Sequence, residues 1–460
     1  MTTDYMEFLK RKEIKAQLCG MDSVPDLASH LFPHQIDTTR FLLECGSGAA
    51  FLDTGLGKTA VELEYARQIV EFENRPVLLL APLAVGLQHE REAAKFDTDA
   101  VVVKDGSGVI KPRIYITNYE RLHLFDKSQF AGVILDESSI IKSFTGVTTR
   151  RLIEFGEGLR WKLAATATPA PNDHIELGQH SQLLEVMKSN EMLARWFIAD
   201  QSEMGRYRLK RHGIKPFWSW VASWARCVGK PSDLGYSDDG FELPPLNIQR
   251  HVVETDITKD AGDKLFRIPD VSATSIHKEK RLTSMARAEK IAELVNDESD
   301  EVWMIWVETD YDADSIMSLL PDAVEVRGSM KPEVKEERLN DFSLGKIRIL
   351  VSKPSIAGFG LNWQHCARTA FVGLSFSYEM FYQAIRRFWR FGQTRQVECH
   401  IAMADTETVI WQTVQRKQRD HELMKTQMFE AMRREVIQKT TKNPYQPTQK
   451  SKMPDWLRSA

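Results

Sequence analysis

Asp53-Thr54-Gly55-Leu56-Gly57-Lys58-Thr59 is the stretch that decides the fold. It follows a short apolar run, Ala49 to Leu52, and opens a segment with helical spacing. Glycines let the backbone curl so that several N–H groups point at one anion, and the start of a helix adds positive partial charge there. Lys58 is placed to reach terminal phosphates and Thr59 to hold Mg²⁺ through its hydroxyl. Gly55, Gly57, Lys58 and Thr59 therefore read as a phosphate-binding loop. A strand, such a loop and a helix in succession belong to a parallel sheet flanked by crossover helices.

The rest of the chain keeps that rhythm. Further short apolar strands are expected at Val77 to Leu80, Ile114 to Ile116, Val133 to Leu135 and Leu163 to Ala165. The strand at Val133 ends in Asp136-Glu137. In an enzyme with a phosphate loop the first acid joins the Mg²⁺ shell, and the second can orient and activate the attacking water. Residues 175–240, with Trp196, Trp218, Trp220 and Trp224, break the alternation and read as a helical insertion, and the tryptophans of 218–224 suit a helical core cluster better than stacking on bases. Alternation resumes at Val302 to Val307, Val324 to Val326, Ile347 to Val351 and Ala370 to Val372. The expected layout is an N-terminal helical segment (1–29), a first α/β lobe (30–174), the insertion (175–240), a connector (241–275), a second lobe (276–405), a C-terminal helix (406–438) and a flexible tail (439–460).

Composition narrows the class. Hydrophobic residues make up 42% and charged residues 27% of 460, which suits a globular protein with a large core. The net charge of -3 offers no global attraction for nucleic acid, so any basic surface is local. Five scattered cysteines without a Cys-x-x-Cys argue against a disulfide framework or a zinc site and fit a reducing cytoplasm. The longest apolar run, Val77 to Leu87, is too short to cross a bilayer, and no membrane partner is expected. Lys278, Lys280, Arg281 and Arg287 form a basic run that suits either a nucleic-acid cleft or a charged helix face. Arg226 and Lys230 suit either phosphate contacts or solvent.

Near the end of the second lobe stands Gln383-Ala384-Ile385-Arg386-Arg387-Phe388-Trp389-Arg390-Phe391-Gly392-Gln393. On a helix, Gln383, Arg387 and Arg390 would share one face, and two guanidiniums together suit a multiply charged phosphate. Other stretches complete a series: Phe32-Pro33-His34-Gln35, Ala81-Pro82-Leu83, Thr117-Asn118-Tyr119, Thr166-Ala167-Thr168-Pro169, Gly328-Ser329 with Arg338 and Phe342, and Ala357-Gly358-Phe359-Gly360-Leu361-Asn362. In this order, over about residues 30–415, the chain resembles superfamily 2 helicases, and within them the Swi/Snf-type ATPases in the compact form carried by bacteriophages. It departs in Ser138-Ser139, where the family commonly ends its acidic motif in His, and in Arg386, where Gly is frequent.

The resemblance implies two RecA-like lobes with ATP and Mg²⁺ between them. Gln35 would read adenine, Lys58 and Thr59 would hold phosphates and metal, Asp136 would position the metal and Glu137 would activate water. Gly360 and Gln383 would approach the nucleotide, and Arg387 and Arg390 would act as arginine fingers from the second lobe. Thr117, Thr168, Ser352 and Asn362 would contact a nucleic-acid backbone, giving little sequence preference. The implied protein is a cytoplasmic motor on double-stranded DNA in a bacterial or phage-infected cell. The rivals are a strand-separating DNA or RNA helicase and an ATP-switched loading scaffold. Protein partners are not specified by the motifs.

Overall fold

The computed structural model describes residues 15–82, 85–144, 146–171, 173–199, 207–254, 273–357 and 361–440. In the first lobe the strands are β1 (Ser47–Leu52), β2 (Val77–Ala81), β3 (Ala100–Val102), β4 (Ile114–Asn118), β5 (Gly132–Asp136), β6 (Trp161–Ala165), β7 (Phe197–Ala199), β8 (Tyr207–Leu209) and β9 (Ala225–Val228). Seven of them form one sheet in the order β3-β4-β2-β5-β6-β1-β9, with every pairing parallel. β7 and β8 form a separate antiparallel ribbon. The continuous apolar runs follow from this topology. Helices cover both faces of a parallel sheet, and all five residues of Val77–Ala81 are buried.

The second lobe repeats the plan with β10 (Leu246–Val253), β11 (Trp303–Val307), β12 (Val324–Val326), β13 (Ile349–Ser352), β14 (Arg368–Val372) and β15 (Val397–Ala404). Their order is β10-β15-β14-β11-β13-β12, again wholly parallel. The molecule is thus α/β, with two RecA-like lobes, as expected.

Several boundaries differ from expectation. Residues 15–29 contain no helix, whereas a helical segment was expected there. The stretch 175–240 is not a separate insertion, because β9 pairs with β1 as the edge of the first sheet. Its tryptophans complete the first lobe's core, with Trp196 and Trp220 rings 4.6 Å apart. Arg226 is buried there, 3.5 Å from the centre of the Phe41 ring, so it is neither a phosphate contact nor a solvated charge. The connector 241–275 contains β10, which belongs to the second sheet. The basic run is half structural: Arg287 is fully buried between Asp312 and Glu407, and Lys280 pairs with Glu308.

The C-terminal helix, Thr408–Thr440, crosses from one lobe to the other. Ile410 and Val414 lie in the second lobe's core, while Met424, Met428 and Met432 lie in the first lobe's. Most of the tail expected at 439–460 falls outside the described residues.

Candidate nucleotide site between the lobes

The strand order brings the two chemical motifs together. β1 and β5 flank β6, so the phosphate loop and the acid pair leave the same C-terminal edge of the sheet one strand apart. That edge is where open α/β sheets form a crevice. Gly57, at φ +80°, precedes the helix Lys58–Glu73, and no side chain makes a capping hydrogen bond at the helix start. The first turn also contains no acidic residue, so its free N–H groups and partial positive charge are available to an anion. A Cβ on Gly57 would lie 2.1 Å from Gln35 Nε2, and one on Gly55, at φ +93°, would lie 2.6 Å from the Phe391 backbone nitrogen. The second lobe's backbone therefore rests directly on the loop.

Lys58 Nζ donates to Glu137 Oε1 at 2.9 Å. Burial lowers the Lys58 pKa, but the charges of Glu137 and Asp136 outweigh it and raise the net value. Burial pushes the Glu137 carboxyl up, but Lys58 and Arg387 outweigh it and hold Glu137 below the usual carboxylate range. Its backbone sits in the left-handed region at φ +52°, which turns the chain sharply at the end of β5. Asp136 goes the other way. Burial and the neighbouring Glu62 charge push it up to about 8. A carboxyl held up by a second carboxylate is relieved by a bound cation, so this donor set suits the Mg²⁺ that the motifs imply.

These groups face a cleft of about 380 Å³ shared by both lobes. The first lobe contributes Gln35, Gly55, Gly57, Lys58, Thr59, His89, Asp136 and Glu137, and the second contributes Asn362, Gln364, Arg387, Arg390 and Phe391. Gln35 accepts from Phe32 N at 3.0 Å and donates to the Leu56 carbonyl at 3.0 Å, which ties it to the phosphate loop. Beside it, Phe32, Phe241 and Phe391 form an aromatic wall, with Phe241 and Phe391 stacked at 4.7 Å. The motifs did not single out Phe241. Its only signal was an aromatic residue opening the connector.

The arginines are not on the expected helix face. The helix Tyr378–Ile385 ends before them, because the next amides make tight turns such as Phe388 N to Ile385 O at 3.1 Å. Arg387 and Arg390 nonetheless converge, each donating to the Leu361 carbonyl, at 3.2 and 3.3 Å. Burial lowers the Arg387 pKa to about 10, with the Glu137 charge opposing. Arg390 Nε is buried without a hydrogen-bond partner in a cleft that also holds Lys58 and Glu137.

Gln383 does not line the cleft. It is fully buried and donates to Thr168 Oγ1 at 3.2 Å, while its carbonyl accepts from Arg387 at 3.0 Å. Thr168 N donates to Thr166 Oγ1 at 3.1 Å, and that hydroxyl donates to Glu137 Oε2 at 3.4 Å. A hydrogen-bonded chain thus runs from Glu137 across the lobe boundary to Arg387. The hydroxyl of Thr166 makes the link between the acid pair and the Thr166–Pro169 stretch, and Ser138 bonds His180 at 3.1 Å instead.

The expected nucleic-acid contacts fare differently. Thr117, Thr168 and Ser352 are buried, and Ser352 donates to the Val326 carbonyl, so none of the three presents its side chain to a surface. Each sits at or beside the end of a core strand, where packing takes the side chain inward. Asn362 is exposed but opens onto the nucleotide cleft. Gly360 lies outside the described residues.

A second interlobe cluster forms on Asp53, the first residue of the loop. Its carboxylate accepts from Tyr382 at 2.6 Å, from Lys425 at 2.8 Å and from Arg386 at 3.4 Å. The arginine that stands where glycine is frequent thus joins the two lobes.

Residues 286–392 match the family described as helicase conserved C-terminal domain. The second lobe is thus similar to helicase C-terminal domains. This bears out the resemblance to superfamily 2 helicases. A putative protein p41 from Acyrthosiphon pisum secondary endosymbiont phage 1 is 23% identical, over 87% of this chain and 98% of its own length. A solved SWI2/SNF2 ATPase core from Sulfolobus solfataricus, in complex with dsDNA, is 17% identical, with a TM-score of 0.42, over 90% of this chain and 96% of that one. Among the described residues no helix is long and apolar enough to cross a membrane.

Proposed function

We propose that this helicase-domain protein hydrolyses ATP with Mg²⁺ and uses the cycle to move along double-stranded DNA. One observation carries the hydrolysis: Lys58 and Glu137 of the first lobe and Arg387 and Arg390 of the second face one cleft. Phosphates would enter at the start of the helix Lys58–Glu73, and the base would lie toward Gln35 and the aromatic wall. Bound Mg²⁺ would supply neutralisation of phosphate charge beside Thr59 and Asp136. When Lys58 turns to the phosphates, its bond to Glu137 is released and Glu137 becomes free to accept a proton from water. The chain from Glu137 through Thr166, Thr168 and Gln383 to Arg387 would make hydrolysis sensitive to lobe position.

Movement follows if each turnover shifts the lobes relative to each other while both hold a phosphate backbone. The ordered Swi/Snf-like motifs support duplex DNA as the track. The test is steady-state phosphate release with no nucleic acid, with duplexes of increasing length, and with RNA. Stimulation that rises with duplex length supports the proposal. Stimulation by RNA and not by duplex DNA would replace it with the RNA-helicase reading.

A further inference from the structure

Behind the metal-facing acid lies a buried group that no motif explains. Glu62 stands one helical turn beyond Lys58 on the phosphate-loop helix, and His89 stands on the helix Gly86–Lys95. His89 Nε2 lies 3.2 Å from Glu62 Oε2 and 3.5 Å from Asp136 Oδ2. Its Nδ1 lies 3.2 Å from the Val85 carbonyl. A carbonyl only accepts, so Nδ1 carries a hydrogen. Nε2 faces Glu62 at hydrogen-bond distance and Asp136 at ion-pair distance. The ring therefore holds two carboxylates from two different elements at one nitrogen. Glu62 is fully buried, and its Oε1 has no hydrogen-bond partner.

A buried carboxylate with an unsatisfied oxygen costs more than an apolar side chain of its size would. Its place on the loop helix therefore calls for a function. We infer that Glu62 and His89 are a positioning pair that fixes the Asp136 carboxylate for the metal of the nucleotide site. His89 lines the cleft beside Asp136, whereas Glu62 stands behind it and touches nothing that would react. The Tyr119 hydroxyl donates to the Asp136 backbone carbonyl and holds the same residue from its other end. Asp136 is thus approached by a side-chain partner at its carboxylate and anchored at its main chain. The arrangement matches the partners that orient metal-ligating carboxylates and histidines elsewhere, whose loss costs about 10–100-fold in metal affinity.

The inference rests on the Mg²⁺–ATP reading, and the experiment separates the two. Mn²⁺ binding to the full chain is followed by its electron paramagnetic resonance signal, with a non-hydrolysable ATP analogue present. Nucleotide binding in excess chelator is measured in parallel, and folding is checked by circular dichroism. His89→Ala and the isosteric Glu62→Gln are expected to weaken Mn²⁺ binding by about 10–100-fold, and Glu62→Gln, whose site lies outside the cleft lining, is expected to leave metal-free nucleotide binding unchanged. His89→Gln, which restores an N–H donor, should recover much of the loss. Should His89→Ala fail to fold, Glu62→Gln carries the test. Wild-type Mn²⁺ affinity in Glu62→Gln overturns the inference while leaving the nucleotide site standing. Absence of metal-dependent nucleotide binding in the wild type removes the underlying reading. A stoichiometric metal in nucleotide-free wild type, lost in His89→Ala, would overturn positioning in favour of direct ligation.

Discussion

Single residues divide the labour at the cleft by environment. Asp136 and Glu137 are adjacent, yet burial beside Glu62 pushes one up while Lys58 and Arg387 hold the other down. Glu137→Gln should therefore keep Mg²⁺-dependent ATP binding and lose about 10²–10⁴-fold in turnover, the usual worth of a proton-accepting group. Asp136→Asn should lose the metal-dependent binding itself. Paired nucleotide-binding and phosphate-release measurements check this, and equal loss of binding in both variants would contradict the division. The acids and Lys58 were legible because their types and spacing are fixed by phosphate chemistry. Glu62, His89 and Asp53 were not, because each acts through a partner on another element. Only the folded sheet and the lobe contact bring those partners close.

At the scale of elements, the phosphate loop and the motif around Arg387 act as two halves of one closure. Gly55 is the contact point, since a Cβ there would meet the Phe391 backbone, and its φ of +93° disfavours any other residue. Gly55→Ala should leave the first lobe folded and reduce turnover by hindering closure. Near wild-type ATPase from that variant would mean that the lobes need not close this far. The phosphate loop and the strands β1, β2, β4 to β6 and β11 to β14 were legible in the sequence because apolar runs and glycine spacing are local signals. The helix expected to carry Arg387 and Arg390 was not. It stops at Ile385, and the turns that follow place the arginines by bonding both to Leu361. Periodicity cannot register such an end when no proline or glycine marks it.

Across the whole molecule, the long C-terminal helix is the feature that sequence reading valued least. Its methionines complete the first lobe's core from the far end of the chain. Met432, fully buried, should cost about 2–5 kcal/mol of stability on replacement by Ala. Thermal and denaturant unfolding would show it, and an unchanged transition would contradict the bridging role. A fragment ending near residue 240 lacks this helix and both arginines, so it should show no DNA-stimulated ATPase. The two-lobe plan was visible in the alternation of strands and helices. The outer strands β9 and β10 were hidden, one in a tryptophan-rich stretch and the other in a presumed connector. Their sheet membership depends on pairing with β1 and β15, far away in sequence.

Movement on duplex DNA is the claim that the rest serves, and it stands against strand separation. Unwinding must offset about 1.4 kcal/mol of stacking per base-pair step. A duplex tracker needs only alternating grip by two lobes. The decisive measurement is displacement of a third strand from a triplex on duplex DNA, at modest fixed salt because phosphate contacts are salt-sensitive. ATP-dependent displacement by the wild type, absent in Lys58→Ala and unaccompanied by separation of a forked duplex, is the expected result. Efficient fork separation, or DNA-stimulated ATPase without any third-strand displacement, would contradict it.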